Sequence, residues 1–339
     1  MLLSEAESQA ESAGLRHVTD LVPGITRSPA GRDWTYRLPD GTELTDAAER
    51  ARIHAIGIPP AWTDVWISPD PHGHIQATGR DARNRKQYRY HPLWREVRDD
   101  TKFHRVGTFG RSLPALRRRT GADLGLPGLP KQKVLAAVLR LMDETLIRVG
   151  NEQYARQNES YGLTTLRQDQ VAEEGTATLR FDFRAKSGKH QQVRLRDPRL
   201  AEVVHACHEL PGQELFEYLD HDGRVVNIGS ADVNTYLRTL TGATFTAKDF
   251  RTWGGSVTAA ETLVRLGPPT SAADARRKVN AAIDAAAARL NNTRAVARTS
   301  YVDPRVLSAY PDGRLHEAFA RADARPRLKH AEAALLVIL

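Results

Sequence analysis

The strongest constraint on the fold is a stripe of mostly apolar residues at helical spacing within residues 131–149. Its positions recur at helical spacing: Val134, Val138, Leu141 and Thr145. This spacing predicts a helix over 131–149 that ends at Gly150. Arg148 lies on the same stripe, and a buried arginine requires a negatively charged partner. The partner is either an internal carboxylate, such as Asp143 or Glu144, or a phosphate that arrives with a ligand.

A short sheet is predicted after this helix. Three segments have the length and composition of strands: 163–167, 177–184 and 190–196. The turn between the last two strands is Lys186-Ser-Gly-Lys189. From residue 198 onward the pattern is helical, and it includes a long Ala-rich helix over 271–290. We therefore expect a mostly helical domain that contains one three-stranded sheet.

The N-terminal part of the chain is predicted to be a separate, mainly β domain. Its predicted elements are a hairpin over 35–44, a helix over 46–56, a strand over 65–68 and two strands joined at 80–85. The mixed-charge run after residue 91 indicates a connector, so we place the domain boundary between residues 98 and 99. The predicted fold class is α+β. It has a small N-terminal β-sheet domain with short helices, 1–98, and a larger, mostly α-helical domain, 99–339.

Cations cluster around the two strands that join at 80–85. Six cations make up the cluster, five of them close together in sequence and one earlier: Arg80, Arg83, Arg85, Lys86, Arg89 and Arg52. Along the second strand, Tyr88 and Tyr90 share one face, and Gln87 lies on the other. One interpretation is a solvated hairpin with two core tyrosines. The other is a surface that contacts phosphates. Charge alone does not choose between them.

Composition narrows the class of protein further. A net charge of +8 over 339 residues favours a polyanionic partner, although ordinary basic proteins share it. The single cysteine, Cys207, cannot form an internal disulfide. No apolar run approaches the ~20 residues of a membrane span, and the sequence contains no phosphate-binding glycine loop or zinc motif. We expect a cytoplasmic protein that crosses no membrane and uses no metal, nucleotide or other cofactor.

A tyrosine follows the Ala-rich helix at the end of a polar, basic stretch, Asn292-Thr-Arg-Ala-Val-Ala-Arg-Thr-Ser-Tyr301, predicted to be a loop. A lone tyrosine is usually a core or surface aromatic. Upstream, Lys248-Asp-Phe-Arg251 begins a predicted helix with Thr246 and Asp249 as its capping box. A tyrosine, an amide and fixed cations suit attack of a phenolic oxygen on a phosphodiester, because the cations can hold the non-bridging oxygens.

The chain resembles the type IB DNA topoisomerases, specifically their poxvirus-like bacterial branch, in the order of five sites: Arg148, Lys186, Lys248-Asp-Phe-Arg251, Asn292 and Tyr301. The most specific match is the string Ile-Arg148-Val-Gly-Asn-Glu-Gln-Tyr154 with the segment after it. A further similarity is the strand Arg85-Lys-Gln-Tyr-Arg-Tyr90. The resemblance implies the catalytic fold that tyrosine recombinases and type IB topoisomerases share.

The resemblance also implies roles for these residues. Tyr301 would be the nucleophile, and Lys186, rather than its neighbour Lys189, would be the general acid. The residues that bind the phosphate would be Arg148, Arg251 and Asn292. The expected reaction relaxes supercoiled DNA through a 3′-phosphotyrosyl intermediate, strand rotation and religation, without ATP or metal.

Duplex DNA is the partner that the resemblance implies, clamped between the two domains of a monomer associated with the bacterial nucleoid. The implied DNA-binding residues are Arg80, Arg83, Arg85, Lys86, Gln87, Tyr88, Arg89, Tyr90, Tyr154 and Lys248. Of these, Gln87, Tyr88 and Tyr90 are expected to reach the groove. Asn151 and Gln153 stand where viral members carry lysines, so we expect a different or relaxed preference for DNA sites.

Two alternatives are weighed against this reading. A tyrosine site-specific recombinase has similar chemistry, but it typically has a histidine where this chain has Lys248, and Leu-Gly-His where this chain has Leu290-Asn-Asn292. A non-catalytic DNA-binding protein would use only the basic surface, which leaves the ordered set of residues unexplained.

Many topoisomerases of this type carry histidine at the position of Asn292. The amide of Asn292 can donate a hydrogen bond but cannot share a proton.

Overall fold

The computed structural model of the chain divides into two units, Met1–Lys102 and Phe103–Leu339. It describes the backbone of residues 5–31 and 33–339, and the side chains of these residues apart from 5, 6, 8, 9 and 95–102. Each unit has a hydrophobic core of its own. The predicted boundary after residue 98 concerns domains that fold and act separately, and it stays a prediction.

The first unit is built on an antiparallel sheet. Its elements are α1 (Glu5–Ser12), β1 (Ile25–Ala30), β2 (Asp33–Arg37), α2 (Ala47–Ala55), β3 (Thr63–Ile67), β4 (Ile75–Arg80) and β5 (Lys86–Tyr90). Five strands pair in the order β2-β1-β3-β4-β5. The main core of the unit consists of Ile25, Tyr36, Leu44, Ile53, Val65, Ile67 and Ala77. The predicted small β domain with short helices is thereby confirmed.

Strands β4 and β5 form the hairpin that the sequence predicts. The carboxylate of Asp81 closes its turn by accepting hydrogen bonds from the backbone amides of Arg83 at 2.9 Å and Arg85 at 3.0 Å. The rings of Tyr88 and Tyr90 stack with their centroids 5.8 Å apart, so both lie on one face, as the alternation along the strand predicts.

The second unit is mostly helical. Helix α3 (Pro92–Asp123) begins before Phe103, the first residue of this unit, and continues to Asp123. The remaining elements are α4 (Lys131–Thr145), α5 (Glu152–Asn158), β6 (Val171–Glu174), β7 (Thr178–Arg184), β8 (His190–Arg196), α6 (Pro198–His208), β9 (Glu217–Leu219), β10 (Val225–Asn227), α7 (Ser230–Thr241), α8 (Ala247–Arg265), α9 (Ala272–Arg289), α10 (Arg294–Ser300), α11 (Pro304–Ser308), α12 (Arg314–Arg321) and α13 (His330–Ile338). Strands β6, β7 and β8 form a three-stranded sheet, and β9 pairs with β10.

The run after residue 91, predicted as a connector, is helical: it is the first part of α3, and the division between the two units falls within it. The helix buries an apolar stripe at helical spacing: Phe103, Val106, Phe109, Leu113 and Leu116. The many charged residues of this segment give it the composition of a connector, although the helical spacing of its apolar residues is visible in the sequence.

Helix α4 ends earlier than its apolar pattern predicts. It stops at Thr145, and Leu146 adopts a left-handed conformation with φ 57°. The hydroxyl of Thr145 also bonds to the carbonyl oxygen of Leu141 at 2.5 Å and accepts from the amide of Ile147 at 3.3 Å. Such side-chain bonds compete with the helical ladder. Arg148 therefore lies beyond the helix rather than on its stripe.

The three-stranded sheet is confirmed, with one strand misplaced. Strands β7 and β8 match the predicted segments, but the third strand is β6, Val171–Glu174. The segment predicted as a strand over 163–167 instead contains the 3₁₀ turn Leu163–Thr165. Its amides bond to the segment that follows α4, so they are unavailable to a sheet. The predicted α+β fold class holds.

Candidate active site

A cleft of about 390 Å³ lies in the second unit, where the residues after α4, the start of α8 and the β7–β8 hairpin meet. Its lining residues are Arg148, Val149, Gly150, Asn151, Tyr154, Ser160, Tyr161, Gly162, Lys186, Ala247, Lys248, Arg251 and Tyr301. This lining contains four cations and no carboxylate. The cleft therefore suits a negatively charged ligand. It brings together four of the five predicted catalytic residues, and the fifth, Asn292, bonds to one of them.

Arg251 is fixed by the ends of two other helices. It lies near the start of α8, and its guanidinium donates to the carbonyl oxygens of Leu146 and of Leu290, the latter at 2.8 Å. The residue is only 4 % exposed, and burial together with the charge of Arg148 lowers the pKa of Arg251 to about 10. Its Nε is buried without a hydrogen-bond partner among the described residues. The guanidinium is thus held in place while its Nε–H remains available as a donor.

Arg148 and Asn292 form a second pair in the cleft. A terminal nitrogen of Arg148 donates to Oδ1 of Asn292 at 2.5 Å. Burial lowers the pKa of Arg148. This bond orients the Asn292 amide so that its Nδ2 is a donor, and within the described chain that nitrogen is buried without an acceptor. The neighbouring Asn291 ties this loop to the sheet, since its side-chain amide donates to the carbonyl oxygen of His190 at 3.3 Å.

Two glycines let the chain pass close behind Arg148. A Cβ on Gly162 would lie 2.7 Å from the carbonyl oxygen of Arg148 and 2.6 Å from the amide nitrogen of Gly150. Gly150 itself has φ +110°, a conformation that side chains disfavour. The amide of Leu163 donates to the Arg148 carbonyl at 2.9 Å. The paired glycines therefore fix the backbone from which Arg148 projects.

Tyr301 ends the short helix α10, which occupies most of the stretch that the sequence predicts as a loop. The Arg251 guanidinium lies 5.0 Å from the centre of its ring. Burial raises the pKa of Tyr301, but Arg251, Arg148 and Lys248 outweigh burial and hold that pKa below its usual value. The cations favour the phenolate, which is the nucleophilic form of the side chain.

Helix α8 also positions the backbone of Tyr301. A Cβ on Gly255 would lie 2.7 Å from the Tyr301 carbonyl oxygen, and a Cβ on Gly254 would lie 2.5 Å from Leu146. The Ser256 hydroxyl accepts from the amide of Asp303 at 2.9 Å. Only glycine, which has no side chain, allows α8 to come this close to Tyr301 and Leu146 at positions 255 and 254. The same helix that carries Arg251 thus determines where the tyrosine lies.

Lys186 begins the turn between β7 and β8, where Ser187 adopts φ 67°. Its Nζ lies 5.9 Å from the centre of the Tyr154 ring, within the cleft. Lys189, the alternative that the sequence offers, is not one of the lining residues.

The predicted DNA-binding residues fall into two groups. Tyr154 and Lys248 lie in the cleft of the second unit. The others lie on the β4–β5 hairpin of the first unit: Arg80, Arg83, Arg85, Lys86, Gln87, Tyr88, Arg89 and Tyr90. Several of these cations already have local partners. Lys86 pairs with Asp20 at 2.6 Å, and Arg85 pairs with Asp81 at 2.7 Å.

Sequence reasoning missed part of the cleft. The sequence gives Asn151 a role only in site preference and assigns none to Ser160 or Tyr161, yet all three line the cleft. Asn151 also caps α5, with its side chain accepting from the amide of Tyr154 at 2.8 Å. The signal is present in the sequence, because Asn151 falls within the string that carries the most specific resemblance, and Ser160 and Tyr161 fall in the segment that follows it.

The described residues hold neither a metal-binding cluster nor a membrane-spanning helix. Among the described side chains, no group of histidine, cysteine and acidic residues is arranged to hold a metal ion. In the part of the chain that the structure describes, no helix combines the length and hydropathy needed to span a bilayer.

Comparisons with known proteins identify the family of the chain. A family model described as eukaryotic DNA topoisomerase I, catalytic core, matches residues 91–313, and one described as bacterial DNA topoisomerase IB, N-terminal domain, matches residues 33–81. The chain is 34% identical over 298 residues to DNA topoisomerase 1B of Acanthamoeba polyphaga mimivirus, covering 86% of this chain and 88% of that protein. It is 28% identical over 155 residues to DNA topoisomerase 1 of Daucus carota, covering 44% of this chain and 18% of that protein.

The fold and these matches define the class as a DNA topoisomerase, an isomerase whose substrate is DNA. The chain belongs to the type IB DNA topoisomerase family, as its sequence predicts. Family membership favours this function over a site-specific recombinase or a non-catalytic DNA-binding protein.

Proposed function

We propose that the cleft relaxes supercoiled DNA by breaking and resealing one strand at Tyr301. The phenolic oxygen attacks the phosphorus, a bond forms between them, and the bond from phosphorus to the 5′ oxygen breaks. The strand then carries a 3′-phosphotyrosine, and the free 5′ end rotates about the intact strand. Attack by the 5′ hydroxyl reverses the step and releases the tyrosine. One phosphodiester is exchanged for another, so resealing needs no ATP.

The observation that carries this proposal is the position of Arg251 beside Tyr301. A buried guanidinium, anchored to two carbonyl oxygens and 5.0 Å from the tyrosine ring, can hold charge that develops on the phosphate. The buried Nδ2 of Asn292 and the guanidinium of Arg148 supply further donors. Fixed cations of this kind can stabilise the charge that Mg²⁺ stabilises in other enzymes.

Lys186 is the proposed general acid for the departing 5′ oxygen. Support comes from its place in the lining of the cleft, which Lys189 does not share. The turn between β7 and β8 can present the Lys186 amine to a bound DNA strand, because the pairing of the two β-strands holds the turn in place.

Duplex DNA is the proposed partner of both units, held by a monomer that works in the bacterial cytoplasm, at the nucleoid, without a nucleotide. The β4–β5 hairpin supplies stacked tyrosines and a group of cations on the first unit, and Tyr154 and Lys248 supply contacts on the second. Phosphate contacts of this kind position a protein on a duplex without reading its sequence.

Plasmid relaxation in EDTA tests the proposal. The protein is expected to remove both positive and negative supercoils without ATP, because rotation about the intact strand has no intrinsic direction. Tyr301→Phe is expected to abolish both relaxation and the covalent adduct, with DNA binding nearly unchanged, since only one oxygen is lost.

The matched control is Tyr310→Phe. The Tyr310 side chain is fully buried, and its hydroxyl donates to the Gly267 carbonyl at 2.7 Å, so this variant is expected to retain the adduct. An absolute requirement for Mg²⁺ or ATP, or an adduct that survives in Tyr301→Phe, would refute the proposed mechanism.

A further inference from the structure

We propose that Glu332, on the C-terminal helix α13, is a positioning residue for Arg251. The inference rests on the proposed function, since it takes Arg251 to stabilise charge on the phosphate. It concerns a part of the chain beyond residues 91–313, the segment that matches the catalytic core of the family.

Glu332 is a buried carboxylate with several fixed donors. It is 4 % exposed, and it accepts from both terminal nitrogens of Arg117 at 2.7 Å. It also accepts from the indole nitrogen of Trp253 at 3.1 Å and from the amide of Lys329 at 2.8 Å. Burial raises the pKa of Glu332, but Arg117 outweighs burial and holds that pKa below its usual value. The carboxylate is therefore charged at neutral pH.

The first connection to the cleft runs through α8. Trp253 lies two positions after Arg251 on this helix, and its indole is held by Glu332. The ring is also enclosed on its other side, because a Cβ on Gly110 of α3 would lie 2.3 Å from the ring and 3.0 Å from Leu336. Helices α3, α8 and α13 thus pack in contact around Trp253. A shift of α13 would move the indole and the turn of α8 that bears Arg251.

The second connection runs through α4. Arg117 bridges Glu332 to Asp143 with bonds of 2.7 and 2.9 Å to that carboxylate. Asp143 lies in the last turn of α4, just before Leu146, whose carbonyl oxygen accepts from Arg251. One carboxylate therefore braces both the helix that carries Arg251 and the helix end that anchors it.

If Glu332 only stabilises the fold, its loss lowers the melting temperature or the amplitude of cleavage. If it positions Arg251, its loss also lowers the rate constant of the chemical step. The test is single-turnover cleavage of a duplex substrate, with the rate constant and the amplitude measured separately. Glu332→Gln removes one of the two carboxylate charges that pair with Arg117, and Trp253→Phe removes only the indole donor and keeps an aromatic ring. Both variants are expected to cleave between about 10- and 100-fold more slowly, because a misplacement of about 1 Å costs on the order of 10² in rate. DNA affinity and amplitude are expected to stay near those of the unmodified protein.

The matched control is Tyr236→Phe, which loses a buried hydrogen bond to Asp123 between α7 and α3 without touching Glu332. It is expected to lower the melting temperature but not the cleavage rate constant. Sulfur in place of the bridging 5′ oxygen is not expected to restore the rate of Glu332→Gln, since the defect lies in charge stabilisation rather than in the leaving group.

Two outcomes would overturn the inference. The Glu332 and Trp253 variants could keep the rate constant and lose only amplitude or melting temperature, which would make the network structural. Alternatively, sulfur could restore the rate, which would place the defect at the leaving group. The proposed function is tested separately by Arg251→Ala: if that variant also cleaves at the unmodified rate, the fault lies in the role of Arg251 itself.

Discussion

At the scale of single residues, the main feature of the cleft is the set of cations around Tyr301. Tyr301 is faced by Arg251 and Lys248 from α8 and by Arg148 from the segment after α4, and these cations together lower its pKa. Lys248 is exposed and contributes charge without anchoring the fold, so its effect can be tested apart from stability.

Lys248→Ala is expected to move the pH dependence of cleavage. Loss of the cation destabilises the phenolate and raises the pKa of Tyr301 toward its usual value. The single-turnover cleavage rate should therefore level off at a higher pH than in the unmodified protein. Lys189→Ala is the control, because this residue does not line the cleft. A profile that does not move, or that moves to lower pH, would contradict this account of Tyr301.

Lys186→Ala is expected to slow cleavage of ordinary DNA by on the order of 10²–10⁴, the usual worth of a general acid. A thiol, with a pKa of ~8.5, leaves without protonation far more readily than an alcohol. A substrate with sulfur at the bridging 5′ position should therefore restore cleavage by this variant, measured in a single turnover.

The control for the sulfur experiment is Arg251→Ala, whose defect sulfur should leave in place because Arg251 stabilises charge on the phosphate. If sulfur restores neither variant, or restores Lys189→Ala instead, the assignment of Lys186 as the acid is wrong.

At the scale of elements, the β4–β5 hairpin combines exposed cations with local bonds. Arg83 is exposed, whereas Arg85 pairs with Asp81 and Arg89 donates to the Gly57 carbonyl at 2.7 Å. A cation with a local partner must exchange that partner for a phosphate when DNA binds. The hairpin arginines are therefore expected to contribute unequally to affinity.

Replacing Arg83, Arg85 and Arg89 together by alanine should flatten the salt dependence of DNA binding. Each phosphate contact that is lost should reduce the slope of log affinity against log salt by up to ~0.9. The measurement is a binding titration at several salt concentrations. A double variant of exposed arginines elsewhere in the unit, Arg16 and Arg37, is the control for lost charge. An unchanged slope in the triple variant would mean that the hairpin does not touch DNA.

At the scale of the whole molecule, the proposed catalytic residues all belong to the unit Phe103–Leu339. Because α3 starts at Pro92, a fragment that keeps this helix intact must begin there. The fragment 92–339 is expected to form the covalent adduct with Tyr301, yet to bind DNA more weakly and with a smaller salt slope.

Denaturing gels after cleavage, together with binding titrations, measure both properties of this fragment. A folded fragment that forms no adduct at saturating DNA would show that residues before 92 take part in the chemistry.

Local patterns in the sequence were sufficient for much of the fold and for the family. The strand segments of β7 and β8 and the Thr246–Asp249 capping box are each set by neighbouring residues, and each is confirmed. The order of the proposed catalytic residues was also predicted from short local strings, those that carry the resemblance, and the roles of these residues stay predictions.

Tertiary structure decided what depends on contacts distant in sequence. The helical pattern of α4 continues past Thr145, but the Leu146 carbonyl must meet Arg251 from α8, and the chain there turns to left-handed backbone. The predicted loop before Tyr301 folds as α10 against α9, where Arg298 donates to Asn280 at 3.0 Å. Such bonds join residues that no local pattern relates. The sequence by itself therefore determined which residues are proposed as catalytic, and packing determined which of them meet in the cleft and how they face one another.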